Sequence, residues 1–193
     1  MAPKTKFTKE SIVSAAFEVA REEGIDHITI RKIAAKLGSS IAPIYVNFTD
    51  VEEVKQEVLT YIQRLSQQML MTAYSPDPFL NIGIASLKFA RQYPVLFKDL
   101  VMNTNRFVKD VQQPPGSLID QMKQAPELVG FTDEELMDIF FKMQVFQMGI
   151  SVMDVNGLLP EEADEEKLIK LLESTGKDII TAARMHKNNK SII

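Results

Sequence analysis

Apolar residues recur at intervals of three and four along almost the whole chain, the spacing that gathers them on one face of a helix. Ile12, Ala16, Val19 and Ala20 make the first such stripe; Thr8 is placed to cap it, Phe7 and Ile12 to staple it, and Gly24 to end it. Ile33, Ala34 and Leu37 make a second, shorter one. Thr29 is its N-cap, Ile28 and Ile33 its staple, and Gly38 stands where a left-handed C-cap is wanted. Ser40 is placed to cap a third helix from about Ile41 to Asn47, where Pro43 is tolerated because first-turn N–H groups have no intrahelical acceptor. Its inward residues are Ile44 and Phe48, while Ile41, Ala42, Pro43, Val46 and Asn47 have no core to enter. Two short helices meeting at a turn of a few residues, over TIRKIAAKLGSSIAPIYVNF (29–48), are the layout of a helix-turn-helix, which reads the DNA major groove.

Beyond residue 48 the helical period continues. Val51, Val54, Val58, Ile62, Leu65 and Met69 predict one long helix from about Asp50 to Ala73, and Pro76 and Pro78 then break the chain. Further helices are predicted over Pro78 to Gln92, Val95 to about Asn103 and, more weakly, Leu118 to Gln124, with a loop at Gln112 to Gly116. Thr132 and Glu135 form a capping box, Phe131 and Leu136 a staple, and Asn156 with Gly157 a left-handed stop, so a helix spans about 132 to 155. Leu136, Ile139, Met143, Phe146, Ile150 and Met153 fall on one side of it and Met137, Phe141, Val145, Met148, Val152 and Val155 on another. Gln144, Gln147 and Ser151 lie between the two faces, and Asp138 and Lys142 make a narrow charged strip. A helix apolar nearly all round must be covered on two sides. Either it is the axis of a large core or a second chain covers part of it. The last helix, about Glu165 to His186, carries Leu168, Leu172, Thr175, Ile179 and Ala182 on a stripe, beside the small Gly176 and Ala183.

The charge is uneven. Residues 1–48 carry seven basic side chains, Lys4, Lys6, Lys9, Arg21, Arg31, Lys32 and Lys36, against Glu10, Glu18, Glu22, Glu23 and Asp26, whereas the whole chain stands at −4. A mildly basic head on an acidic body fits DNA binding at one end. Composition narrows the chemistry further: there is no cysteine, and the two histidines, His27 and His186, lie far apart, so thiol chemistry, disulfides and a histidine metal cluster are not expected. No Gly-rich phosphate loop, nucleophile elbow or H-E-x-x-H string occurs. Asp133, Glu134 and Glu135 could be taken for catalytic carboxylates, but at a helix start they complement the dipole. No enzyme activity, cofactor or metal is expected. With no apolar leader and no uninterrupted apolar run near membrane length, the chain is expected to be cytoplasmic.

The order T-I-R-K-I-A-x-K-L-G, a turn, P-I-Y-V-N-F and an acidic amphipathic helix resembles the N-terminal domain of the TetR family of bacterial transcriptional repressors, over roughly residues 8 to 60. The resemblance implies an all-α protein. A three-helix helix-turn-helix DNA-binding domain, 1–48, would precede a helical effector-binding and dimerisation domain, 49–193. It implies a homodimer on a double-stranded DNA operator, released by a small-molecule effector, with the last two helices in a four-helix bundle across the twofold. On that basis Met148, Val152, Leu168, Leu172, Thr175, Gly176, Ile179 and Ala183 are the expected interface.

Carried over by position, Tyr45 matches a tyrosine that reaches a phosphate, and Arg31 a position from which some members read guanine. Thr29 at a helix N-terminus suits a phosphate. Ser39, Ser40, Ile41, Ala42, Pro43, Val46 and Asn47 occupy the turn and the recognition face, whose apolar members point to thymine methyl contacts, with Asn47 serving a phosphate or base edge. The bland alternatives are solvated charge for Arg31 and a core aromatic for Tyr45. One departure stands out: where the family commonly has a phosphate-binding lysine, this chain has Val51, flanked by Asp50, Glu52 and Glu53. Phosphate affinity should be lower in consequence, with Lys4, Lys6 and Lys9 in partial compensation.

The effector is expected to be neutral or weakly polar, because Phe89, Tyr93, Phe97, Met102, Phe107, Met122, Phe140, Met143, Gln144 and Gln147 offer a mostly apolar wall with two amides. The same residues could equally be ordinary core. A helical interaction module with weak or lost DNA binding is the alternative function.

Overall fold

Local capping sets where the helices begin. In the computed structural model, which describes residues 7–101 and 115–190, α1 (Lys9–Glu23) starts where the Thr8 hydroxyl oxygen accepts from the Ser11 N–H at 3.2 Å. A single 3-10 turn at Ile25–His27, not foreseen from the sequence, leads to α2 (Ile30–Leu37). Thr29 caps α2 by accepting from the Lys32 N–H at 3.3 Å, and Gly38 closes it in the left-handed region at φ 63°. The third helix, α3 (Ala42–Asn47), differs from expectation at its start. Ile41 is its N-cap and makes no side-chain cap, whereas the Ser39 hydroxyl donates to the Ser40 carbonyl at 2.9 Å. With Ile41 at the N-cap, Ser40 stands one position before it, and Pro43 opens the first turn with a preset φ and no N–H to satisfy.

Among the described residues the remaining helices are α4 (Val51–Met71), α5 (Pro78–Gln92), α6 (Pro94–Val101), α7 (Pro115–Met122), α8 (Asp133–Val155) and α9 (Glu165–Lys190), with a second 3-10 turn at Pro126–Leu128 and no strand. The expected loop at 112–116 lies outside the described residues up to 114. Pro115 and Gly116 belong to α7, a proline being well placed to open a helix. At the end of α8 only Gly157 is left-handed (φ 65°); Asn156 has φ −104°. The capping box is complete: the Glu135 N–H donates to Thr132 at 3.3 Å, and the Thr132 N–H donates to the Glu135 carboxylate at 2.8 Å. Replacing Thr132 with alanine is expected to cost about 1 kcal/mol of stability by urea unfolding.

The chain divides into two compact units, Met1–Gln67 with Tyr93–Gln112, and Gln68–Gln92 with Gln113–Ile193. The first is larger than the three N-terminal helices. Val54, Val58, Leu59 and Ile62 of α4 and Leu96, Phe97 and Leu100 of α6 are buried, as are Ile12, Ala16, Ile33, Ile44 and Phe48 of the helices before them. Phe17 of α1 meets Tyr61 and Tyr93 with ring centroids 4.8 and 5.9 Å apart. The Asp99 carboxylate of α6 accepts the Ile25 N–H at 2.7 Å, holding the turn between α1 and α2.

In the second unit Phe79, Ile82 and Leu87 of α5, Ile119 and Met122 of α7, Leu136, Ile139, Met143 and Ile150 of α8, and Leu168, Leu172 and Ile180 of α9 form one core. Asn81, buried at the break between α4 and α5, accepts from the N–H groups of Tyr74 and Ser75 and donates to the carbonyls of Leu70 and Thr72. A buried amide is tolerated because its polar atoms are satisfied. Arg91 of α5 grips Asp154 at the end of α8 through Nε (2.5 Å) and Nη2 (3.0 Å), while Lys88 pairs with Glu165 of α9.

Candidate DNA interface and effector-domain residues

The helix-turn-helix begins with two helices that cannot slide. Ile33 and Ala34 of α2 and Ile44 of α3 are sealed in the core, and the left-handed Gly38 reverses the chain between them. What α3 then turns outward is almost wholly apolar: Ile41, Tyr45 and Val46 are 46, 55 and 84% exposed, and Ala42 is exposed too. Tyr45 is therefore a surface aromatic, as a phosphate contact requires. Asn47 departs from its expected role. Its amide nitrogen donates to the carbonyls of Pro43 (2.8 Å) and Phe7 (3.3 Å), which commits both hydrogens and leaves only Oδ1 for any partner. Ser40 is exposed, Pro43 and Ser39 are half-buried, and the Thr29 hydroxyl keeps its own hydrogen to donate after accepting from Lys32.

The positive charge of this region is largely spent inside it. Lys32 and Lys36 of α2 reach Glu23 and Glu22 at the end of α1, both at 2.6 Å, and Arg21 pairs with Glu18. Lys32's donation holds the Glu23 carboxyl below the usual glutamate range. Lys9 lies 3.5 Å from Glu53 and over the Phe48 ring. Arg31 is exposed, and no ion pair among the described residues engages it. At the start of α4 the Asp50 carboxylate accepts the Glu53 N–H at 2.9 Å, and the Glu53 carboxylate accepts the Thr49 N–H at 2.7 Å. That backbone donation is the main reason the Glu53 carboxyl sits below its ordinary range. The chain's own carboxylates thus fill the helix terminus where the resemblance places a phosphate beside a lysine. Lys4 and Lys6 lie outside the described residues.

The expected effector residues are divided between the two units. Tyr93 and Phe97 are buried in the first unit, and Met122, Phe140, Met143 and Gln147 pack in the second. Phe89 is half-buried, Gln144 is exposed, and Met102 and Phe107 lie outside the described residues. Gln147 lies buried on α8, where its amide donates to the Ser151 hydroxyl oxygen at 2.8 Å, so each side chain supplies the other with one hydrogen-bond partner. The buried stripe of α8 is consequently Leu136, Ile139, Met143, Gln147, Ile150 and Ser151, and Met153 is turned out.

On its other side α8 shows Met137, Phe141 and Val145 to solvent, 41, 63 and 58% exposed, with Met148 and Val152 half-buried beside them. Periodicity had placed these five together, yet only the last two entered the expected interface. Leu168, Leu172 and Gly176 of α9 need correction as interface residues. They face the chain's own core, where a Cβ on Gly176 would stand 3.7 Å from Phe79 and 3.9 Å from Met143, and so are closed to a second chain. Thr175, Ile179 and Ala183 are half-buried. By length and hydropathy α8 would also pass for a membrane span, with 28% of its most apolar window buried by the chain itself. Its ion-paired Asp138 and Lys142 and its core-facing stripe mark it instead as a helix packed in protein. Among the described residues no three His, Asp or Glu side chains are grouped to hold a metal.

No protein-family model and no curated protein matches the sequence. Solved structures do match in shape. The transcriptional regulator SCO7222, a TetR from Streptomyces coelicolor, superposes with a TM-score of 0.60 over 92% of this chain and 97% of its own, at 13% identity. A TetR transcriptional regulator from Rhodococcus sp. RHA1 gives 0.48 over 91 and 94%, at 17% identity. The all-helical fold read from the sequence is thus a fold that a TetR regulator adopts over nearly its full length.

Proposed function

We propose, from a fold shared with a TetR regulator, that this chain is a cytoplasmic, sequence-specific DNA-binding transcriptional regulator of that family: a repressor released from a palindromic operator by a small, mostly apolar effector. The observation that carries the reading is the helix-turn-helix itself, with Thr29 and Gly38 bounding α2 and α3 presenting Ile41, Ala42, Tyr45 and Val46 outward. In it Tyr45 and Thr29 hold phosphates, Arg31 reads a guanine through O6 and N7, and Ser39, Ser40, Ile41, Ala42, Pro43, Val46 and, through Oδ1, Asn47 meet the groove. The functional division falls at residue 48. From 49 onward the chain serves the effector and a second copy.

The apolar second unit, with the Gln147–Ser151 pair among its buried polar groups, takes the effector. The uncovered face of α8 takes a second copy, which places two recognition helices on one operator. Only Phe48, Thr49 and Asp50 separate α3 from α4, so movement of α4 carries α3 with it. Half-sites on one DNA face repeat at about 34–36 Å, and a shift of a few ångströms in head separation abolishes simultaneous docking.

Tyr45→Ala is expected to weaken binding to all DNA sequences by a similar factor. Arg31→Ala should relax preference at one base pair by about 1–3 kcal/mol. Gel shifts over a panel of selected and scrambled duplexes measure both; if neither variant moves, the site assignment fails. A helical interaction module remains the second reading, favoured by the self-capped start of α4 and the paired lysines of α2. Absence of any salt-dependent DNA binding would select it.

A further inference from the structure

We infer that the recognition surface reads the C5 methyl groups of pyrimidines, and that cytosine methylated at C5 is accepted in place of thymine. The inference rests on the DNA-binding reading above. A helix that discriminates bases by hydrogen bonding must bring free donors or acceptors to their edges. Along α3 and the turn before it few remain: both amide hydrogens of Asn47 are committed to Pro43 and Phe7, leaving only its Oδ1, and the Ser39 hydroxyl hydrogen goes to Ser40. The Tyr45 phenol serves a phosphate, and Ile41, Ala42 and Val46 carry no polar side-chain group, so that the exposed Ser40 and Asn47 Oδ1 are what is left for base edges. Val46, at 84% exposure, is the most outward of the large apolar side chains in the described chain, and it sits on the one face the core does not use.

Pressing such a face against a polar base edge strips water from groups that then find no partner, whereas pressing it against a methyl buries apolar surface on both sides. Thymine presents that methyl at C5 in the major groove, beside its O4. A 5-methylcytosine carries the same group on the same ring carbon. Because α3 has so little with which to tell O4 from the cytosine amine, the methyl outweighs the identity of the ring. Cytosine methylation at a contacted position is therefore a gain of binding for this protein.

The test uses the full-length protein and duplexes selected from a random pool for binding to it. Each thymine of the selected site is replaced in turn by deoxyuridine, which removes only the methyl, and separately by cytosine and by 5-methylcytosine opposite guanine. The expected result is a loss of about fourfold for each contacted thymine converted to deoxyuridine, equivalent to about 0.8 kcal/mol for one methyl at 1.4 kcal/mol per tenfold. A comparable gain of 5-methylcytosine over cytosine should appear at the same positions. In Val46→Ala, whose exposed side chain leaves folding untouched, one of these differences should shrink. Equal affinity for thymine and deoxyuridine duplexes, or no gain from 5-methylcytosine, overturns the inference and leaves DNA binding standing. Failure to select any duplex overturns both.

Discussion

Alanine at position 24 is expected to destabilise the first unit by about 2–6 kcal/mol, the combined cost of backbone strain and a lost hydrogen bond. Gly24 has φ 105° and ψ 160°, a region occupied almost only by glycine, where another residue costs about 1–3 kcal/mol. A Cβ there would also stand 2.7 Å from Asp99 Oδ2, the oxygen that accepts the Ile25 N–H. Moving that carboxylate strips the partner from an amide on a residue that is fully buried, a penalty of about 1–3 kcal/mol. Urea unfolding of Gly24→Ala, Asp99→Ala and the double variant separates the two contributions. Asp99→Ala alone should lose the Ile25 hydrogen bond without the backbone strain, and the double variant should cost less than the two singles added, since the Cβ then has no carboxylate to displace. A Gly24→Ala protein with an unchanged midpoint would disprove the account.

The second large effect concerns association. Phe141→Glu combined with Val145→Glu is expected to convert a dimer into a folded monomer and to reduce operator affinity by about 10²–10⁴, the factor by which a linked second site raises binding. Both side chains are more than half exposed on an otherwise apolar face of α8, so the substitutions should alter the monomer's own stability by no more than about 0.5 kcal/mol. Sedimentation and gel shifts on the same samples measure both consequences. Wild-type protein that sediments as a monomer at micromolar concentration, or a double variant that still dimerises, would remove α8 from the interface.

Most helix limits could be read from residues at the limits themselves. Thr8, Thr29 and Thr132 cap as expected because an N-cap needs only its own hydroxyl and an N–H three residues on. Gly38 and Gly157 stop helices because only local sterics are involved. Ser40 misled because the helix starts one residue later than its pattern suggests: Ile41 is the N-cap, and Ser40 stands one position too early to serve as it. The α9 stripe misled differently. Periodicity put Leu168 and Leu172 on one stripe with Thr175, Ile179 and Ala182, and Gly176 beside it, but it carries no label for the neighbour, and Phe79, nearly a hundred residues from Gly176, stands against that glycine. Asn47 belongs to the same class, since its amide is taken partly by the carbonyl of Phe7 from the start of the chain.

The helical order, the helix-turn-helix and the apolar character of its outer face are legible in the amino-acid order alone, because each follows from residues within a turn or two of one another. Tertiary structure decided which apolar faces are spent internally and which stay open, and which polar groups remain free to act. Contacts such as Asp99 with Ile25 join residues 74 apart, and pairing at that separation depends on how the helices pack. That packing left α3 with an apolar outer face, α2 with an exposed Arg31 that no ion pair among the described residues engages, and α8 with one face uncovered.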